Sequence, residues 1–120
     1  MELNIGTKHF SKITTADEPG QGNARHKYYI SKADGTDFLP VGEFGFIKFQ
    51  KGPVKEAGIN GCHQEDLLAI VIHRLQCFQS SEFACQENAF ALTKIEEAMH
   101  WLNHRTTDRK ARGIEGTSIK

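Results

Sequence analysis

A chain of 120 residues suits one domain, and its 38% apolar and 25% charged residues describe a folded protein and not a disordered one. Fifteen basic residues balance fifteen acidic ones, and zero formal charge argues against a general nucleic-acid binder, which carries a basic excess. Three cysteines without a CxxC pair read as reduced thiols, not a disulfide frame, and no stretch approaches the roughly 20 apolar residues that span a membrane. With no signal-peptide run in Met1 to Phe10, the expected setting is the interior of a cell, in solution.

In chain order, residues 1–25 read as a polar arm, with a short strand expected at Leu3 to Ile5 and a loop at the Gly- and Pro-rich Glu18 to Asn23. Residues 26–61 are β-rich. His26 to Ser31 is aromatic and β-branched, Asp34-Gly35 offers a turn, and Phe38 to Val41 resumes the chain. Gly45 to Lys51 alternates partly before Gly52-Pro53 stops it, which together predicts a small antiparallel meander with one buried face. Lys55 to Gly61 reads as a connector.

Residues 62–113 read as a helical hairpin, followed by a tail over 114–120. Leu67, Leu68, Val71, Ile72, Leu75 and Phe78 recur at spacings of three and four, behind Glu65 and Asp66 in the opening turn. Gln79-Ser80-Ser81 breaks this helix. Ala91, Leu92, Ile95, Ala98, Met99 and Leu102 form the stripe of a second one, which ends at Gly113 after a basic last turn. The fold class expected is α+β: a small N-terminal sheet, then two long antiparallel helices, in one domain over 1–120. The apolar stripes of so small a hairpin predict a homo-oligomer.

Arg105 and Arg109 are four apart on the second helix, with His104, Lys110 and Arg112 beside them, the one basic cluster in the chain. Arginine suits phosphate because its planar fork donates two parallel charge-assisted bonds. The same residues could instead be solvated cations at the negative end of the helix. Phe78 and Phe83 flank the turn and Asn88 opens the second helix; a ring can stack on a base and an amide can pair with its edge, although a helical aromatic is usually core. In an antiparallel hairpin Phe78 and Arg105 lie about 20–25 Å apart, so a site using both needs a second subunit. His100 and His104 have the spacing of a metal pair but lack the Glu of HExxH and a third ligand, and Cys62-His63 is a slender ligand pair. No GxSxG, P-loop or GxGxxG is present.

Taken as a string, Phe49-Gln50-Lys51-Gly52-Pro53 through Asn60-Gly61, then Glu65-Asp66-Leu67-Leu68, Phe83-Ala84-Cys85-Gln86-Glu87-Asn88, Trp101-Leu102-Asn103-His104-Arg105-Thr106, Asp108-Arg109 and Arg112-Gly113 resemble one family. It is the phage-encoded Thoeris anti-defence sponge of the first kind, which shares a helical hairpin with the anti-CBASS sponge. The resemblance covers residues 26 to 117. It implies a non-enzymatic protein without cofactor or metal, acting in the cytoplasm of an infected bacterium. The ligands it implies are glycocyclic ADP-ribose and, in some members, the cyclic di- or trinucleotides of CBASS. Assembly as a dimer or hexamer, with ligands between protomers, is implied too. By matching position, Phe78 would stack on adenine, Asn88 would contact that base, Arg105 would cover base or phosphate, and Arg109 would hold the pyrophosphate. Gln86 stands where the family carries Arg, so nothing is carried over there. Two rivals remain: an enzyme that cleaves cyclic nucleotides with His100 or His104 as general base, and a hairpin that binds nucleic acid or protein.

Overall fold

In the computed structural model, which describes residues 1–6, 10–33, 44–114 and 116, the polar start of the chain enters a sheet. Strand β1, Ser11–Thr15, pairs antiparallel with β2, Lys27–Lys32, which pairs antiparallel with β3, Gly45–Lys48. The arm expected over 1–25 therefore supplies an edge strand. Its own first residues extend the sheet: Leu3 donates to the Ile13 carbonyl at 2.9 Å, and Glu2 bridges to Thr14. The strand expected at Leu3 to Ile5 reduces to this contact. The turn at Asp34-Gly35 and the strand at Phe38 to Val41 lie outside the described residues.

The register sorts the side chains. Ile13 opposite Ile30 and Tyr28 opposite Ile47 put the aliphatic residues on one face, where Tyr28 also meets the Phe49 ring edge-on, centroids 5.6 Å apart. Thr14, Tyr29 and Phe46 share the other face. The loop entering β2 is pinned by Asp17, whose carboxylate accepts from the His26 and Lys27 backbone N–H groups at 3.0 and 3.2 Å, while Arg25 donates to the Asp17 carbonyl. Partial burial pushes the Asp17 carboxyl up, but those two N–H donors and the charges of His26 and Arg25 outweigh it and hold the carboxyl below its ordinary range. A lowered carboxylate adds stability above its unfolded pKa, and that stability is lost as pH falls through the folded value. Acid melting should therefore show a loss below about pH 4 that Asp17→Asn flattens; parallel curves for the two proteins would mean the loop tolerates a protonated Asp17.

After β3 the chain makes a tight excursion and returns. Helix α1, Val54–Ala57, is one turn set by Pro53 before it and Gly58 after it, the latter at φ 74°. The connector expected there thus holds a helical turn. Gln50 and Asn60 fasten its two ends: the Gln50 amide donates to the Gly52 and Gly58 carbonyls and accepts from Asn60 N–H, and the Asn60 amide bonds both backbone groups of Lys51 at 2.8 Å. Cys62 then runs parallel to Phe49, donating to the Lys48 carbonyl at 2.8 Å.

The chain divides into two compact units, Met1–Cys62 and His63–Lys120. The second is a hairpin of α2, Gln64–Gln79, and α3, Gln86–Ala111, packed on each other. Asp66 starts α2 by accepting from the His63 backbone N–H at 2.9 Å. Gly113, at φ 71°, stops α3: Ile114 N–H reaches the Arg109 carbonyl and Gly113 N–H the Lys110 carbonyl, both at 3.0 Å, the paired bonds of a left-handed helix stop. The seam uses Leu68, Ile72 and Leu75 of α2 and Leu92, Ile95, Met99 and Leu102 of α3, all half-buried. Val71, Ala91 and Ala98, expected in the stripes, are exposed. Among the described residues no apolar side chain is buried, and Phe90 and Trp101 are each 61% exposed. A half-buried leucine contributes roughly 1 kcal/mol where a fully buried one contributes roughly 2–3, so these seams are thin.

Candidate functional site

The turn of the hairpin is stitched by polar groups. The Gln79 side-chain amide bonds both backbone groups of Cys85 at 3.1 Å, and the Ser81 hydroxyl donates to the Phe78 carbonyl at 2.7 Å while accepting from Phe83 N–H. Cys85 caps α3, its Sγ accepting from Asn88 N–H at 3.4 Å. Residues 79–88 therefore hold the last turn of α2 and the first turn of α3 in a fixed relation. Phe78 and Asn88 stand on those two turns.

Phe78 is half-buried. It is neither a sealed core ring nor a bare platform, because the Arg74 guanidinium lies over it, 5.0 Å from the centroid. Arg74 is the residue the sequence reading missed. Its signal was its position four before Phe78, where a helix brings cation and ring together. A guanidinium over an aromatic ring is a place where a base and its phosphate could both be met, by stacking and by charge-assisted bonds. The Asn88 side chain is half-buried, and its amide makes no hydrogen bond among the described residues.

Arg105 and Arg109 lie at the other end. Seventeen residues of helix separate Asn88 from Arg105, about 25 Å at the rise of an α-helix. One hairpin thus brings Phe78 with Asn88, and Arg105 with Arg109, but does not bring the two pairs together. Arg105 is exposed and has no ion pair among the described residues. Arg109 is not a freely solvated helix-end cation: it is half-buried, and its Nη2 donates to the Ile114 carbonyl at 3.2 Å. Arg112 pairs with Asp108 at 3.8 Å on the surface. The cationic end of α3 therefore does two jobs, complementing the helix dipole and fastening the chain beyond Gly113.

This difference separates the two arginines in a test. Arg105→Ala should leave melting within about 0.5 kcal/mol of the parent, whereas Arg109→Ala should cost roughly 1 kcal/mol through the lost bond to Ile114. Equal melting of the two variants would show that the Ile114 contact contributes nothing.

His100 and His104 both stand edge-on to Trp101, ring centroids 5.5 and 5.8 Å away. No group of three metal-ligating side chains occurs among the described residues.

Two comparisons bear on this hairpin. Residues 42–107, more than half of the chain and inclusive of Phe78, Asn88 and Arg105, match the model of the Acb2/Tad1 hairpin domain. Over 80 residues the chain is 58% identical to a protein of Bacillus phage SBSphiJ7 named Thoeris anti-defense 1. That stretch is 67% of this chain and 56% of the phage protein, so the chain spans about half the length of the curated relative it matches. A hairpin with these helices, this turn and this match places the chain in the Acb2/Tad1 hairpin-domain family.

Proposed function

We propose that the chain is a phage anti-Thoeris protein that binds a nucleotide immune signal and withholds it intact. Glycocyclic ADP-ribose is the ligand this reading favours, with CBASS cyclic di- or trinucleotides as further candidates, and the cytoplasm of the infected host is where it would act. The observation that carries the reading is the split site. Base-handling groups (Phe78 under Arg74, with Asn88) and phosphate-handling groups (Arg105, Arg109) sit at opposite ends of one hairpin. A second copy laid antiparallel would bring the turn of one hairpin to the helix end of the other, and the exposed Phe90 and Trp101 give such a copy apolar surface to cover.

In this arrangement the base enters between Phe78 and the Asn88 amide, and the arginines of the other copy neutralise the pyrophosphate. Nothing in that arrangement asks for a bond to break: tight binding lowers the free signal by mass action alone. The deciding experiment incubates the protein with glycocyclic ADP-ribose, denatures it by heat and recovers the small molecule, with light scattering on the same sample. Intact release from a dimer or larger assembly is the expected result. Release of cleavage products would establish the enzyme instead, with His100 and His104 the first bases to test. A monomer that binds with full affinity would remove the split site.

A further inference from the structure

The sheet of residues 1–62 holds a pairing that folding alone disfavours. Lys27 and Lys48 lie directly opposite each other on neighbouring antiparallel strands. Their side chains leave the same face, where like charges repel. Neither ammonium has an ion pair among the described residues. Two positions along the same strands, on the same face, Tyr29 lies opposite Phe46, ring centroids 5.0 Å apart and planes tilted by 30°. Phe46 remains 49% exposed. Two residues of strand advance about 7 Å, so an aromatic patch and a cationic patch adjoin on one surface. The strand beside them contributes the uncharged Thr14 opposite Tyr29, and the Asp17 carboxylate at the start of β2 is engaged by the His26 and Lys27 backbone N–H groups.

We propose that this face is a second binding site, for a single nucleotide: the base stacks on the Tyr29–Phe46 pair, and the phosphate sits between the Lys27 and Lys48 ammoniums. The anion removes the repulsion that the bare pair carries, so binding and sheet stability reinforce each other. Size sets the ligand class. One ring pair and one ammonium pair match one base and one phosphate, and a nucleic-acid strand would need the pattern repeated along a track. A second copy meeting this face about a twofold axis would set four ammoniums together, which disfavours self-association through it.

The test uses the full chain carrying Arg105→Ala, which weakens the hairpin site, with adenosine monophosphate as probe and adenosine and inorganic phosphate as separate arms. Binding is read by NMR at Tyr29 and Phe46 and by thermal melting. The nucleotide should bind about tenfold or more tighter than either fragment. Lys48→Gln should weaken it about tenfold while raising the melting temperature, since the substitution relieves the repulsion; a lysine with only a structural role would melt lower. Phe46→Leu should weaken the nucleotide and leave phosphate unchanged. Nucleotide binding no tighter than phosphate, or undiminished in Lys48→Gln, would overturn the proposal. So would burial of this face in an oligomer that Phe46→Glu dissociates.

Discussion

Gly61→Ala is expected to be the most damaging single substitution in residues 1–62, costing about 3 kcal/mol. A Cβ at this position would lie 2.5 Å from the Phe49 carbonyl carbon and 2.6 Å from the Lys48 and Phe49 oxygens. All three are backbone atoms, so no side-chain rotation relieves the clash. The returning chain would have to lift off β3, giving up the bonds from Cys62 N–H to the Lys48 carbonyl and from Gln50 N–H to the Cys62 carbonyl, each 2.8 Å. Gly45 is the control. Its φ is not positive, and a Cβ there would meet only the Ile30 Cδ1 at 4.0 Å, so Gly45→Ala should change stability by less than about 0.5 kcal/mol. Both tyrosines of the chain, Tyr28 and Tyr29, lie in β2, so near-ultraviolet tyrosine dichroism follows this unit during melting. If the two alanine variants melt together, the close approach at Gly61 is not what binds the excursion to the sheet.

Phe78→Leu is expected to have the largest effect on ligand capture. Leucine keeps most of the apolar volume of a half-buried ring, so stability should fall by less than about 1.5 kcal/mol. It has no π-face, however, and forfeits both the base stack, roughly 1–3 kcal/mol, and the platform on which Arg74 is oriented. Affinity for glycocyclic ADP-ribose should therefore drop by about one to two orders of magnitude. Paired melting and calorimetric titration separate the roles. A protein that melts lower yet binds normally would return Phe78 to packing alone and take the site at the turn with it.

The hairpin was legible in the sequence because its signals are local. Asp66 and Gly113 mark helix ends through bonds to residues within a few positions of themselves, and the leucine stripes repeat at the helical period. Strand β1 was not legible. Ser11–Thr15 holds a single strongly apolar residue, Ile13, and its partners are in β2, beyond a Gly- and Pro-rich loop. Helix α1 escaped for another reason: one turn has no period to detect, and its existence rests on side-chain amides reaching across the loop from Gln50 and Asn60. At the site, spacing alone put Arg105 and Arg109 on one helix and left their difference unseen. Only the turn at Gly113 carries the Ile114 carbonyl back to Arg109.

The thinness of the helical seam has a bearing on how affinity should be measured. With Phe90 and Trp101 in water, a lone hairpin has surface whose coverage would release further free energy. A ligand held between two copies would draw on that reserve, because closing the site also closes the apolar contact. Capture and pairing then become linked equilibria, and the apparent dissociation constant ceases to be a property of the ligand alone. Titrations at successively lower protein concentration should give successively weaker apparent binding, and Trp101, the sole tryptophan, offers the fluorescence with which to follow both events in one cuvette.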